Sequence, residues 1–192
     1  MKTFIKLFLS LGILSTFLIS CSEDDEFMPC PAKAESGNIT SREDGSAGVY
    51  TSIVINARPE QVWEVLTDFS TMPNWSSSFQ GLQGDPSDGV QANALFLVEG
   101  NPAPVSFPHR LIWEEGKRFG WSDPILFAPG VVDYHLYVVE PCGDQTLFIQ
   151  TDNFTGTDEM FSPQVLATIL LGGYQTFNRE LKAEVERRFA NP

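Results

Sequence analysis

The 192-residue chain carries 12 Lys and Arg against 25 Asp and Glu, a formal net charge of −13, with 15 Phe and 4 Trp. That length supports one domain with a substantial core. So large an excess of acid argues against nucleic acid and anionic lipid surfaces as partners, because both repel it.

Residues 1–20 read as a secretory signal peptide. Lys2 and Lys6 give a basic start, and the run from Leu7 to Ser20 is its apolar core, too short and too early for a structural span. Its end, Leu18-Ile19-Ser20-Cys21, resembles a bacterial lipobox. That resemblance implies that Cys21 is lipidated and becomes the mature N-terminus, after export across the inner membrane. The expected location is the cell envelope, with the outer membrane or the cell surface as the finer alternatives. Acyl chains on Cys21 would hold the chain to a membrane. The alternative is a plain secreted protein. Residues 21–47 read as the lipidated Cys and a flexible tether, acidic at Glu23–Glu26 and then rich in Ser, Gly and Asn. Cys30 and Cys142 remain. An oxidising compartment allows them to pair, and two free thiols are the alternative.

The domain is expected over residues 48–192. Residues 49–56 alternate apolar and polar, a first strand. Residues 57–69 then read as a short helix opened at Pro59, with Val62, Val65, Leu66 and Phe69 as its buried stripe. Residues 70–75 add one more short turn or helix, broken at Pro73, so two short helices are expected after the first strand. Residues 79–156 read as strand after strand. A break is expected near Pro108, an apolar loop over 122–130, and a hairpin turn at residues 140–144. From Ser162 onward, Leu166, Leu170, Tyr174, Phe177, Leu181, Val185 and Phe189 recur at spacings of three and four, one face of a long helix. Ser162 suits its cap and Pro163 its first turn. Strands followed by one amphipathic helix require a curved antiparallel sheet that buries the helix stripe, an α+β fold.

Five segments in order resemble one superfamily. They are Ala57-Arg58-Pro59-Glu60-Gln61-Val62-Trp63; Thr67-Asp68-Phe69 with Pro73-Asn74-Trp75; His135 to Pro141 followed by Gly143; Phe154-Thr155-Gly156; and Gly173-Tyr174, Asn178, Leu181-Lys182 and Glu186. Together they resemble the SRPBCC superfamily, the START-like helix-grip proteins that include polyketide cyclase/dehydrase-like members. The resemblance implies a helix-grip fold and a chamber for a small hydrophobic molecule such as a lipid, sterol, quinone or polyketide.

Catalytic signatures are sparse. No HExxH, GxSxG, P-loop or dinucleotide fingerprint occurs, and His109 and His135 are the only histidines. No cofactor or metal is expected, and a monomer is. In the strand 131–139, period two places Asp133, His135 and Tyr137 on one face. Facing the chamber, they would orient a ligand or supply acid/base chemistry of the cyclase/dehydratase kind; the alternative is an exposed or internally satisfied His135. The expected chamber lining is Trp75, Phe107, Trp121, His135, Tyr137, Phe154, Tyr174 and Phe177. Gly172-Gly173 inside a helix costs roughly 1 kcal/mol per glycine relative to Ala, so a ligand or a strand is expected against the backbone there. A third reading is an envelope interaction module that docks through residues 124–129.

Overall fold

The computed structural model describes residues 30, 31 and 33–190. The signal peptide, Cys21 and the acidic run after it lie outside the described residues. Eight strands form one antiparallel sheet: β1 Glu35–Ser41, β2 Ala47–Ile55, β3 Phe79–Gln83, β4 Gln91–Phe96, β5 Val105–Glu114, β6 Arg118–Ile125, β7 Ala128–Cys142 and β8 Gln145–Gly156. Helix α1, Pro59–Thr67, follows β2, and α2, Pro163–Phe189, closes the described chain. The strand order is β1-β2-β8-β7-β6-β5-β4-β3, so the sheet is a meander except where β2 returns beside β8.

Helix α2 begins as its sequence dictates. The Ser162 hydroxyl accepts from the Val165 N–H at 3.4 Å, and Pro163 occupies the first turn. Leu166, Phe177, Leu181 and Val185 are buried against the sheet. Polar bonds fix the helix on the strands. Asn178 donates to Thr51 at 2.9 Å, and the Lys182 ammonium donates to the Val54 carbonyl at 2.6 Å. At its far end Arg188 pairs with Glu184 at 2.8 Å and with Asp68 at 3.0 Å, tying α2 to the end of α1.

Three sequence expectations are corrected. The segment read as tether contains β1, paired with β2 from Glu35↔Ile53 to Ser41↔Ala47, so the sheet begins well before residue 48. Its composition is that of an edge strand, polar and largely exposed. The apolar loop expected at 122–130 is instead the end of β6, a turn at Leu126-Phe127 and the start of β7. Strand β5 runs unbroken through Pro108, because β6 pairs only with residues 111–114 and Pro108 lies on the free edge beyond. The register shifts fall elsewhere, in β6 between Pro124 and Ile125 and in β3 between Phe79 and Gly81. There Gly81 adopts φ 110°, and a Cβ would lie 2.8 Å from Phe69, so only glycine fits the close approach. Of the two alternatives for the remaining cysteines, pairing holds. Cys30 and Cys142 are disulfide-bonded, with Cα atoms 4.9 Å apart, which pins the start of the described chain to the β7–β8 hairpin.

The core falls into two parts. The larger holds α1 and the C-terminal half of α2 on the sheet, through Val62, Leu66, Phe79, Phe119, Phe148 and Phe177. The smaller surrounds the start of α2, through Ala47, Val49, Val131, Phe154 and Leu166. Residues of both line the gap between them, and the gap is a cavity.

Candidate functional site

The cavity encloses about 340 Å³ between the sheet and α2. That is at the small end of the range for small-molecule sites. Alternation along the strands builds its floor. On β7, Asp133, His135 and Tyr137 point to one face, and on β8, Gln150, Asp152 and Phe154 do the same. Register aligns them, with His135 opposite Asp152 and Tyr137 opposite Gln150. Trp121, opposite His135 on β6, and Phe107 and His109 on β5 extend the wall. Gly173, Tyr174 and Phe177 of α2 form the roof.

Seven of the eight residues expected in the lining therefore meet at one cavity: Phe107, Trp121, His135, Tyr137, Phe154, Tyr174 and Phe177. Trp75 does not. It follows a short 3-10 turn, Met72–Asn74, and packs against Phe177, with ring centroids 5.6 Å apart. At the glycine pair the strand alternative falls. Nothing lies within 4 Å of a Cβ built at Gly172 or Gly173, so no strand packs there, and Gly173 borders the cavity.

Aromatic rings crowd the polar floor. The His135 ring stacks on Tyr174 at 4.9 Å, lies 4.6 Å from Tyr137 and meets Trp121 edge-on at 4.9 Å. His109 stacks on the other side of Trp121 at 4.4 Å, and its Nδ1 lies 3.1 Å from Asp123. Burial lowers the His109 pKa, and the Asp123 carboxylate opposes that shift. Burial also drives His135 down to about 3, with the charge of His109 adding to the effect. His135 is a neutral ring at physiological pH. Gln150 Nε2 donates to His135 Nε2 at 2.9 Å, which places the ring proton on Nδ1.

Two carboxyl groups share this floor. Asp152 is buried and accepts the Tyr174 hydroxyl at 2.7 Å. Burial and then the neighbouring Asp133 charge hold its pKa well above the ordinary carboxyl value. Asp133 accepts the Trp121 indole N–H at 3.2 Å, and burial raises its pKa to about 6. Asp123, directly opposite on β6, adds like-charge repulsion. Among the described residues no Lys or Arg lines the cavity. Asp133 Oδ1, Asp152 Oδ1 and Gln150 Oε1 are buried without any hydrogen-bond partner. Such groups are costly unless something completes them.

Sequence reading missed Gln150, Asp152 and His109 as lining residues. The signal was present for the first two. In Thr146–Phe154 the same period-two argument applied to β7 puts Gln150, Asp152 and Phe154 on one face.

The mouth is apolar. Leu97 and Val98 after β4, Leu126 and Phe127 at the β6–β7 turn, and Ile169 on α2 all border the cavity while 39–69 % exposed. Among the described residues no cluster of three His, Cys, Asp or Glu side chains is arranged to hold a metal ion. No described helix is long and apolar enough to cross a membrane.

A curved antiparallel sheet gripping a long C-terminal helix over an apolar chamber defines the START-like helix-grip proteins of the SRPBCC superfamily. The chain belongs to the family described as polyketide cyclase / dehydrase and lipid transport, whose profile matches residues 46–186. No curated protein sequence matches it significantly. Solved structures share the fold. The Zhui aromatase/cyclase from Streptomyces sp. R1128 superposes with a TM-score of 0.59 at 15 % identity, over 74 % of this chain and 95 % of its own. A START superfamily protein from Mycobacterium smegmatis superposes with a TM-score of 0.56 at 14 % identity, over 73 % and 98 %. At those identities the likeness establishes the fold alone.

Proposed function

We propose that this protein binds a small hydrophobic molecule in the chamber between β7, β8 and α2, and carries it as a lipid-anchored protein of a bacterial envelope. The observation that supports this reading most is the aromatic-lined cavity opening through an apolar rim. Transferring an apolar ligand there removes its surface from water, worth about 25 cal/mol per Å². The exposed Leu126, Phe127 and Ile169 give such a ligand an apolar path between a membrane or carrier and the chamber. The family description, which includes lipid transport, accords with it. Lipid, sterol, quinone and polyketide-like molecules are the candidate classes. Saturable displacement of a hydrophobic fluorescent dye from the purified protein tests the binding; a protein that takes up no dye contradicts it.

The anchor is a separate part of the proposal. It rests on the signal core and Cys21 in the sequence. Mass spectrometry of the mature N-terminus should find acyl chains on Cys21, and an unmodified cysteine there would contradict the anchor.

One observation favours a second, enzymatic reading of the cyclase/dehydratase kind. General acids and bases work best with pKa values near the working pH. His135, held near 3, is poorly matched to that task. Asp133, raised to about 6 by burial, is better matched, and Asp152 beside Tyr174 is shifted in the same direction. In this reading Asp152→Asn abolishes turnover of an aromatic polyketide while leaving its binding intact. A docking role for residues 124–129 makes Phe127 the residue to test, since a partner bound there would be lost with Phe127→Ser.

A further inference from the structure

We infer that the ligand carries a protonated amine, and that the floor of the cavity is built to hold an organic ammonium group. The inference rests on the ligand-binding reading of this cavity and narrows the ligand class.

Three features of the floor point the same way. First, its incomplete polar atoms are oxygens. Asp133 Oδ1, Asp152 Oδ1 and Gln150 Oε1 are each buried and unpartnered, and all three residues line the cavity. Asp152 and Gln150 are each 1 % exposed, so solvent does not complete them. Oxygens of this kind call for hydrogen-bond donors from the occupant. Secondly, the two carboxyl groups have no cation. Among the described residues the wall contains no Lys or Arg, and its two histidines are held neutral by burial. A carboxylic acid or phosphate ligand would meet repulsion and no counter-charge. An ammonium group would supply both the missing charge and the missing donors. Thirdly, Trp121, Tyr137, Tyr174 and Phe177 surround the same floor, and electron-rich ring faces attract organic cations, most strongly where water is excluded.

The charge state of the floor gives the proposal a signature. Around Asp133 stand His109 from β5, Asp123 from β6, His135 and Tyr137 from β7, Asp152 from β8 and Tyr174 from α2. No permanent cation is among them. Without ligand, burial and the Asp133 charge hold the Asp152 pKa well above the ordinary carboxyl value, and Asp133 takes up a proton below about pH 6. An ammonium group bound between them favours the ionised form of both and displaces a proton to solvent. A neutral alcohol of the same shape does not.

The test compares phenylbutylamine, phenylbutanol and phenylbutanoate on the full chain by titration calorimetry, in two buffers of different ionisation enthalpy near neutral pH. The amine should bind about ten-fold or more tighter than the alcohol, since hydrogen bonds to charged groups are worth more than neutral ones. The carboxylate should bind weakest. Amine binding should release up to one proton, read from the buffer dependence of the heat. Asp133→Asn keeps the side-chain shape and should erase the preference for amine over alcohol. Should that variant not fold, the order of affinities of the unaltered protein, amine above alcohol above carboxylate, still decides. Alcohol binding as tight as amine binding, or amine binding without proton release, overturns the ammonium site and leaves the hydrophobic chamber standing. Failure of all three ligands, together with no uptake of a hydrophobic dye, overturns both.

Discussion

The Tyr174 hydroxyl donates to Asp152 Oδ2 at 2.7 Å, a single bond that joins the roof of the cavity to its floor. Tyr174 belongs to α2 and Asp152 to β8, so this contact sets how closely helix and sheet approach over the chamber. Tyr174→Phe removes the donor and leaves both Asp152 oxygens unpartnered in a buried place. It should cost about 1–3 kcal/mol of stability, the usual penalty for an orphaned buried polar group. Asp152→Asn should cost less, because an amide oxygen still accepts from Tyr174. Urea denaturation of both variants checks the order; equal losses would show that the hydrogen bond does not fix the helix.

Asp133 should make the fold less stable as pH rises. Its folded pKa is raised to about 6 from an ordinary value of 3.8, chiefly by burial. The folded state therefore holds a proton that the unfolded chain has released. The contribution is fully present below the ordinary value and is lost as pH climbs through about 6. A rise of that size corresponds to about 3 kcal/mol as an upper figure. Asp133→Asn should gain stability over the parent between about pH 4 and pH 7 by some part of that amount. A difference that stays flat across this range would contradict the raised pKa.

His135 acts in the opposite sense. Its folded pKa is lowered to about 3 from 6.5, so the folded state keeps the ring neutral. That contribution is present above the ordinary value and is lost as pH falls from 6.5 toward 3. His135→Gln should therefore lose less stability than the parent when the pH is lowered from about 7 to about 4, as read by thermal unfolding.

The Cys30–Cys142 disulfide closes a loop spanning 112 positions of sequence. Cross-links of that span restrict the unfolded chain and stabilise by about 2–4 kcal/mol. Replacing both cysteines with serine should lower the denaturation midpoint accordingly. Reductant should then leave the variant unaffected while shifting the parent.

Much of this architecture was legible because its signals are local and periodic. The α2 stripe from Leu166 to Phe189 and the inward face of Asp133, His135 and Tyr137 follow directly from the two side-chain periods. Strand β1 escaped because an edge strand such as Glu35–Ser41 needs no apolar face to be held; its pairing with residues 47–53 is a long-range fact. The Leu126-Phe127 turn escaped because two exposed apolar residues carry no turn chemistry. Trp75 was misplaced because its ring packs on Phe177 and the core and not into the cavity, a choice made by packing and not by position in the chain. The carboxyl pair was hidden for a related reason: Asp133 and Asp152 stand far apart in the chain and meet only through the β7–β8 register.

Filling the space beside Gly173 tests whether the chamber holds a ligand. A Cβ at Gly173 meets nothing within 4 Å, and glycine inside a helix is about 1 kcal/mol less favourable than alanine. Gly173→Ala should therefore stabilise the protein by up to about that amount and leave dye uptake nearly intact. Gly173→Trp directs a large ring toward the mouth of the cavity. Native mass spectrometry should detect one bound hydrophobic ligand on the parent and on Gly173→Ala, and none on a folded Gly173→Trp. Undiminished one-to-one binding by Gly173→Trp would place the ligand elsewhere and refute the chamber as its site.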